Sequence, residues 1–191
     1  EHAHQAGVVH RDAKPANIIL DKDHQPHITD FGLAKRDVGE VTMTMDGKLL
    51  GTPAYMSPEQ ARGTVHDADA RTDVYSLGVI LYEMVTGRVP FEGDMPFTIG
   101  VKHKSEIPKN PKELNTNLSD DLSSIILRCL EKDKGDRYQS AEEVHSELMN
   151  IEKGMKRIAL IVGIVAIIPG GIFGAGVTYE SFQIETPEHK T

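Results

Sequence analysis

The chain has 191 residues, room for one domain and no more than two, and its 39% hydrophobic and 26% charged residues are those of a folded protein rather than a disordered tail. Its 21 basic and 29 acidic residues leave a net charge of −8, which excludes a general nucleic-acid binder, since that needs basic surface to displace counterions from phosphates. A lone cysteine, Cys129, excludes an intramolecular disulfide framework and a multi-cysteine zinc site.

In chain order, the first notable stretch is polar and runs from His10 to Asn17. Ile18-Ile19-Leu20 and His27-Ile28-Thr29 follow as short runs of strand propensity around a turn-rich Asp21–Pro26 segment. Paired as an antiparallel hairpin with 18 facing 29 and 20 facing 27, they set Asn17 opposite Asp30. From there to Glu59 the chain is rich in Gly, Thr, Pro and Met without a clear period, and so long a connection asks for a functional reason.

Helical patterning begins at Val74. Leu77, Leu81, Met84 and Val85 keep a helical spacing, Val79 and Ile80 fill the opposite side, and Gly87 stands where the helix should end. A helix apolar nearly all round is expected to be buried. Ser119 before Asp120 and Asp121 reads as the N-cap of a second helix, which carries Cys129 as a buried, inert thiol. Ser140 with Glu143 reads as the capping box of a third, with Val144, Leu148 and Ile151 on one face. With no Trp and 5% aromatics, the core is expected to rest on aliphatic side chains.

Beyond Arg157 lie 22 uncharged residues, 158–179, and at about 1.5 Å per residue a helix of that length spans the hydrocarbon core of a bilayer. Lys153, Lys156 and Arg157 precede the segment and only Lys190 follows it, so residues before it are expected in the cytoplasm and 180–191 outside. The expected localisation is the cell membrane, by a single pass.

Chemistry concentrates near the start. Asp12, Lys14 and Asn17 share one short stretch, and the hairpin returns Asp30 to their side. Two hard oxygen donors, Asn17 and Asp30, suit Mg²⁺. Lys14 offers a positive charge for a phosphate, and Asp12 a carboxylate that orients a hydroxyl.

His10-Arg11-Asp12-Ala13-Lys14-Pro15-Ala16-Asn17, Asp30-Phe31-Gly32, Ser57-Pro58-Glu59, Asp73-Val74-Tyr75-Ser76-Leu77-Gly78 and Arg137 stand in the order and spacing of the serine/threonine protein kinase family. Over residues 1–151 the chain resembles the large lobe of those enzymes, most closely bacterial receptor-like members. The resemblance implies a mainly α kinase large lobe with a small β-hairpin region over 1–152, followed by a basic flank and transmembrane helix over 153–179 and a short outer tail over 180–191. It implies ATP and Mg²⁺ as cofactors and protein Ser/Thr hydroxyls as substrates, and no nucleic acid as partner. Asp12 would accept the hydroxyl proton, Lys14 would neutralise the transferred phosphoryl, and Asn17 and Asp30 would hold the metal. Thr52 resembles the threonine that steadies Asp12 and Lys14, Glu59 and Arg137 a structural ion pair, and His10 and Phe31 two members of a hydrophobic column. Ala13 replaces a larger apolar residue common in the family, and Lys134 a frequent proline.

Thr42 and Thr44, in the long connection, are expected sites of activating phosphorylation between two copies of the kinase, with Arg11 as the phosphate receptor beside Lys35 or Arg36. No counterpart of the family's small lobe is found in the sequence, and the chain begins at Glu1, so it is expected to be an N-terminally truncated fragment inactive alone. The alternative reading is a non-catalytic pseudokinase or membrane scaffold.

Overall fold

The structure is a computed structural model that describes residues 2–31, 53–64, 67–151 and 153, all within one compact unit, Glu1–Lys153. The short helix α1 (His2–Gln5) leads into the polar stretch, which closes in a 3-10 turn at Pro15–Asn17. Strands β1 (Ile18–Leu20) and β2 (Pro26–Ile28) pair antiparallel. After a 3-10 turn at Pro53–Tyr55 come the helices α2 (Pro58–Ala61), α3 (Ala70–Thr86), α4 (Pro96–Ser105), α5 (Pro111–Leu114) and α6 (Asp120–Cys129), then α7 over 141–151.

The hairpin register is one residue away from the one expected: Ile18 faces Ile28, and Leu20 faces Pro26. The turn decides this. The Asp21 carboxylate accepts from the backbone N–H groups of both Asp23 and Gln25, at 2.8 and 2.9 Å, while His24 takes a left-handed φ of 58°. The loop is thereby one residue shorter, and Asn17 lies opposite Thr29, whose N–H donates to the Asn17 carbonyl at 2.8 Å.

Helix α3 starts a turn earlier than its apolar pattern, because the Asp69 side chain caps it by accepting from the N–H of Arg71. Gly87 ends it at φ 75°, a left-handed conformation glycine adopts without strain. Val74, Val79 and Ile80 are buried as expected, but Met84, in the last turn, is 74% exposed. Ser119 caps α6 by accepting from Leu122, and α6 packs on α3 at very short range. A Cβ on Gly78 would stand 2.5 Å from the Cβ of Cys129, so only glycine permits this approach. Burial pushes the Cys129 thiol up to about 12, leaving it protonated and inert.

The core is less aliphatic than expected. Tyr75, Tyr82, Phe91 and Tyr138 are all buried, and each except Phe91 belongs to one of the two clusters built around α3. One gathers Val74, Ile125, Cys129, Tyr138 and Val144, the other Tyr75, Val79, Tyr82, Ile126 and Leu130. Helix α7 has half of its capping box: Ser140 accepts from the Glu143 N–H, while the Glu143 carboxylate accepts from Gln139 instead. No helix among the described residues is long and apolar enough to cross a membrane, and segment 158–179 lies outside them.

Candidate active site

The polar stretch 10–17 is held from behind by α3. Asp73, in the first turn of that helix, accepts from the backbone N–H of His10 and of Arg11 at 2.8 Å each, and its Oδ2 lies 2.7 Å from Nε2 of His4. From the front, Gln60 of α2 donates to the Arg11 carbonyl at 2.6 Å. Arg11 needs this grip. Its φ of 66° lies in the left-handed region, which costs a non-glycine residue roughly 1–2 kcal/mol.

His10 is buried, and its Nε2 faces the Thr29 carbonyl at 2.8 Å. A carbonyl only accepts, so Nε2 carries the proton, and Nδ1 accepts from the Asp12 N–H at 3.2 Å. With both ring nitrogens engaged, His10 is a fixed strut rather than an acid–base group. Its ring meets Phe31 edge-on at 4.8 Å between centroids.

Asp12 is thus aimed by its own backbone. One of its carboxylate oxygens, Oδ2, accepts from Lys14 Nζ at 2.8 Å and from Asn17 Nδ2 at 3.1 Å; the same Asn17 amide also donates to the Asp12 carbonyl at 2.8 Å. The other oxygen makes no hydrogen bond with any described residue and is free to accept one. Asn17, its amide nitrogen committed to Asp12, keeps Oδ1 available as an oxygen donor. Asp30, one residue past the hairpin pair Asn17–Thr29, also takes a left-handed φ, 60°, and its carboxylate has no hydrogen-bond or ion-pair partner among the described residues.

Arg11 reaches no carboxylate among the described residues, and its Nε is buried without a hydrogen-bond partner among them. Thr42, Thr44 and Thr52, with Lys35 and Arg36, lie outside the described residues.

Glu59 and Arg137 meet in the interior by two parallel hydrogen bonds of 2.9 Å, and Thr72 gives Glu59 a third at 2.8 Å. Burial works to raise the Glu59 carboxyl, but the hydrogen bonds and charge of Arg137 win and hold it below its ordinary value. Arg137 also donates to the carbonyls of Glu131, Arg71 and Lys132, and its guanidinium lies 4.9 Å from the Tyr75 ring centre. The pair locks α2, and through Gln60 the stretch 10–17, to the turn between α6 and α7.

The sequence pattern did not single out Asp73, Gln60 or His4 as parts of the site. Asp73 opens the Asp73–Gly78 motif, which pointed to the start of a buried helix and not to a support of the stretch 10–17.

A helical frame that presents an aspartate, a lysine and an asparagine on one short stretch agrees with a protein kinase domain. The family model of that description matches residues 1–149, and the chain belongs to this family. It is similar to a probable serine/threonine-protein kinase of Clostridium perfringens, 46% identical over 153 residues, which cover 80% of this chain and 22% of that protein. A probable serine/threonine-protein kinase of Clostridium acetobutylicum is likewise 46% identical, over 150 residues, 78% of this chain and 22% of its own length. The serine/threonine-protein kinase PknB of Mycobacterium tuberculosis is 42% identical over 154 residues, 80% of this chain and 24% of its own length. The chain thus spans less than a quarter of the curated relatives it matches.

Proposed function

We propose that the protein carrying these residues transfers the γ-phosphoryl group of Mg²⁺–ATP to serine and threonine hydroxyls of protein substrates. The observation that carries this is the Asp12 carboxylate, one oxygen pinned by Lys14 and Asn17 and the other left to accept the substrate's hydroxyl proton. Lys14 Nζ, 2.8 Å from Asp12, would neutralise the charge of the transferred group. The Asn17 Oδ1 and the Asp30 carboxylate fit a hard divalent cation, because neither is used by another described group; bound Mg²⁺ would neutralise charge on the phosphates. A scaffold without catalysis would have no use for all of these groups together.

The family's glycine-rich loop and ATP-holding lysine have no counterpart in residues 1–191, so we expect no transfer by this chain alone. In a chain carrying both lobes, Asp12→Asn should lower the rate of peptide phosphorylation about 10²–10⁴-fold, the usual worth of a positioned base. An unchanged rate would refute the assigned role.

Regulation by phosphate at Thr42 or Thr44 is supported by Arg11, whose Nε is buried and unpartnered among the described residues beside Asp12. A phosphate there brings about −1.5 to −2 charges at neutral pH, suited to bidentate capture. Trans-phosphorylation between two copies should place phosphate on these threonines, read by mass spectrometry. Full activity of the Thr42→Ala/Thr44→Ala variant would sink the idea. A single membrane pass through 158–179, with the kinase inside, rests on hydropathy and the basic flank. Extraction of the full chain from membranes by carbonate alone would contradict it.

A further inference from the structure

A cavity of about 130 Å³ lies among the stretch 10–17, α1, α3, the hairpin and the start of α7. Small residues leave the space: Ala3 of α1, Ala141 of α7, and Ala13, which stands in place of a larger apolar residue common in the family. Leu77 and Ile80 of α3 line it, as do Ile18 and Ile28, which pair directly across the hairpin. Ile28 is 54% exposed, so the cavity meets solvent beside the hairpin. Its volume falls short of the roughly 300–1,000 Å³ of sites for drug-sized ligands. It is close to the roughly 150 Å³ of an apolar cavity that takes up benzene, so a ligand of one ring fits.

One polar atom of the cavity wall lacks a partner. His4 lines the space with its Nε2 2.7 Å from Asp73 Oδ2, and its Nδ1 is buried without a hydrogen bond to any described residue. A carboxylate only accepts, so in the neutral ring Nε2 carries the proton and Nδ1 is left as an acceptor. A buried acceptor left unmade costs free energy, which a donor inside the cavity would recover. The other polar side chains of the wall already have partners. Asp73 takes the N–H groups of His10 and Arg11, His10 faces the Thr29 carbonyl and the Asp12 N–H, and Lys14 and Asn17 donate to Asp12.

We propose that this cavity binds a small phenol, whose ring fills the space beside Ile18, Leu77 and Ile80 and whose hydroxyl donates to Nδ1 of His4. The apolar wall sets the ring, its volume sets the size, and the single unpartnered acceptor sets the one donor. Lys14 and Asn17, which pin Asp12, also line the cavity, so the occupant touches the stretch 10–17. The site does not depend on the phosphoryl chemistry proposed above.

The test is a ligand-observed NMR titration of the full chain with phenol and with toluene, at pH 8, above the ordinary imidazole range. The two ligands share a ring and nearly a size, but only phenol donates a hydrogen bond. Ala13→Leu adds three carbons to the wall and should weaken binding of both by about tenfold or more. Ala141→Leu fills the space from α7 and should do the same. Both variants keep segment 158–179, so any uptake of ligand there is common to all chains and cancels. His4→Phe keeps a ring but removes the acceptor, so the ratio of phenol to toluene affinity should fall about 2- to 12-fold, the worth of one hydrogen bond. Equal binding by the parent and both filled chains would overturn the proposal. So would a parent that binds neither ligand, or an unchanged phenol-to-toluene ratio in His4→Phe.

Discussion

Replacing Glu59 by Gln removes one charge and almost no volume from the interior, leaving the Arg137 guanidinium buried opposite a neutral amide. Both partners are essentially inaccessible, with side-chain exposures of 0% for Arg137 and 4% for Glu59, so solvent cannot screen the stranded cation. Breaking such a pair from one side costs about 3–5 kcal/mol. Arg137→Met should cost at least as much, because it strands the carboxylate and also removes the donor from the carbonyls of Glu131, Arg71 and Lys132. The double variant Glu59→Met/Arg137→Met strands no charge and should be more stable than Arg137→Met. Urea unfolding of the full chain, followed by far-UV circular dichroism, reads this directly: at about 1–3 kcal/mol per molar of urea, Glu59→Gln should lower the midpoint by roughly 1–5 M. The pH dependence adds a second readout. The folded-state Glu59 carboxyl is held below its ordinary value, so the stability it contributes is present above the unfolded value and is lost as pH falls through the lower folded one. Glu59→Gln should lack that acid-dependent loss. If the double variant is no more stable than Arg137→Met, packing and not stranded charge governs the site, and the reasoning fails.

Burial holds His103 down to about 4, with Lys132 adding to the effect, so the imidazole stays neutral in the fold and its contribution is lost as pH falls from about 6.5 toward 4. His103→Gln should therefore show a shallower decline in stability over that window than the parent, and an identical slope would show that other groups control it. Gly78→Ala drives a Cβ to 2.5 Å from Cys129 Cβ, and such overpacking costs about 1–3 kcal/mol, or roughly 2–12 °C in Tm for a chain of this size. An unchanged Tm would mean that α3 and α6 do not meet there.

The parts legible in the sequence are those whose information is local. Asp12, Lys14 and Asn17 sit within one short stretch, so their spacing alone brings them together, and Ser119 caps α6 through the residues that follow it. The hairpin shows where local reading fails: strand propensity finds both strands, but the register depends on how the Asp21 carboxylate gathers the turn, and a slip of one residue moves Asp30 off its expected pair. Aromatic burial was misjudged because a low count says nothing of position, and Tyr75, Tyr82, Phe91 and Tyr138 all fall at buried sites. Asp73, Gln60 and His4 could not be placed because their partners lie 49 to 69 residues away in sequence. Only the packing of α2 and α3 beside the stretch 10–17 makes those pairs.

The first turns of α3 show how a site made of loops is held in place. Six successive residues each hold a different segment: the Arg71 carbonyl takes Arg137, Thr72 donates to Glu59, and Asp73 takes His4, His10 and Arg11. Val74 enters the cluster of α6 and α7, Tyr75 meets His103 of α4 at 2.9 Å, and Ser76 donates to the Tyr55 carbonyl. A helix turns by about 100° per residue, so six consecutive residues fan out over about one and a half turns and can grip loops on every side at once. For that to work the helix must be buried all round, so its polar members must all find partners in a medium where an unpaired group is costly. The succession Arg71-Thr72-Asp73, Val74-Tyr75 and Ser76 meets this requirement. The apolar members anchor the helix in the core, and the polar members fix the backbone of the loops. Arg11 is then held in its left-handed conformation by Asp73 and Gln60, and Asp12 follows from it in the chain.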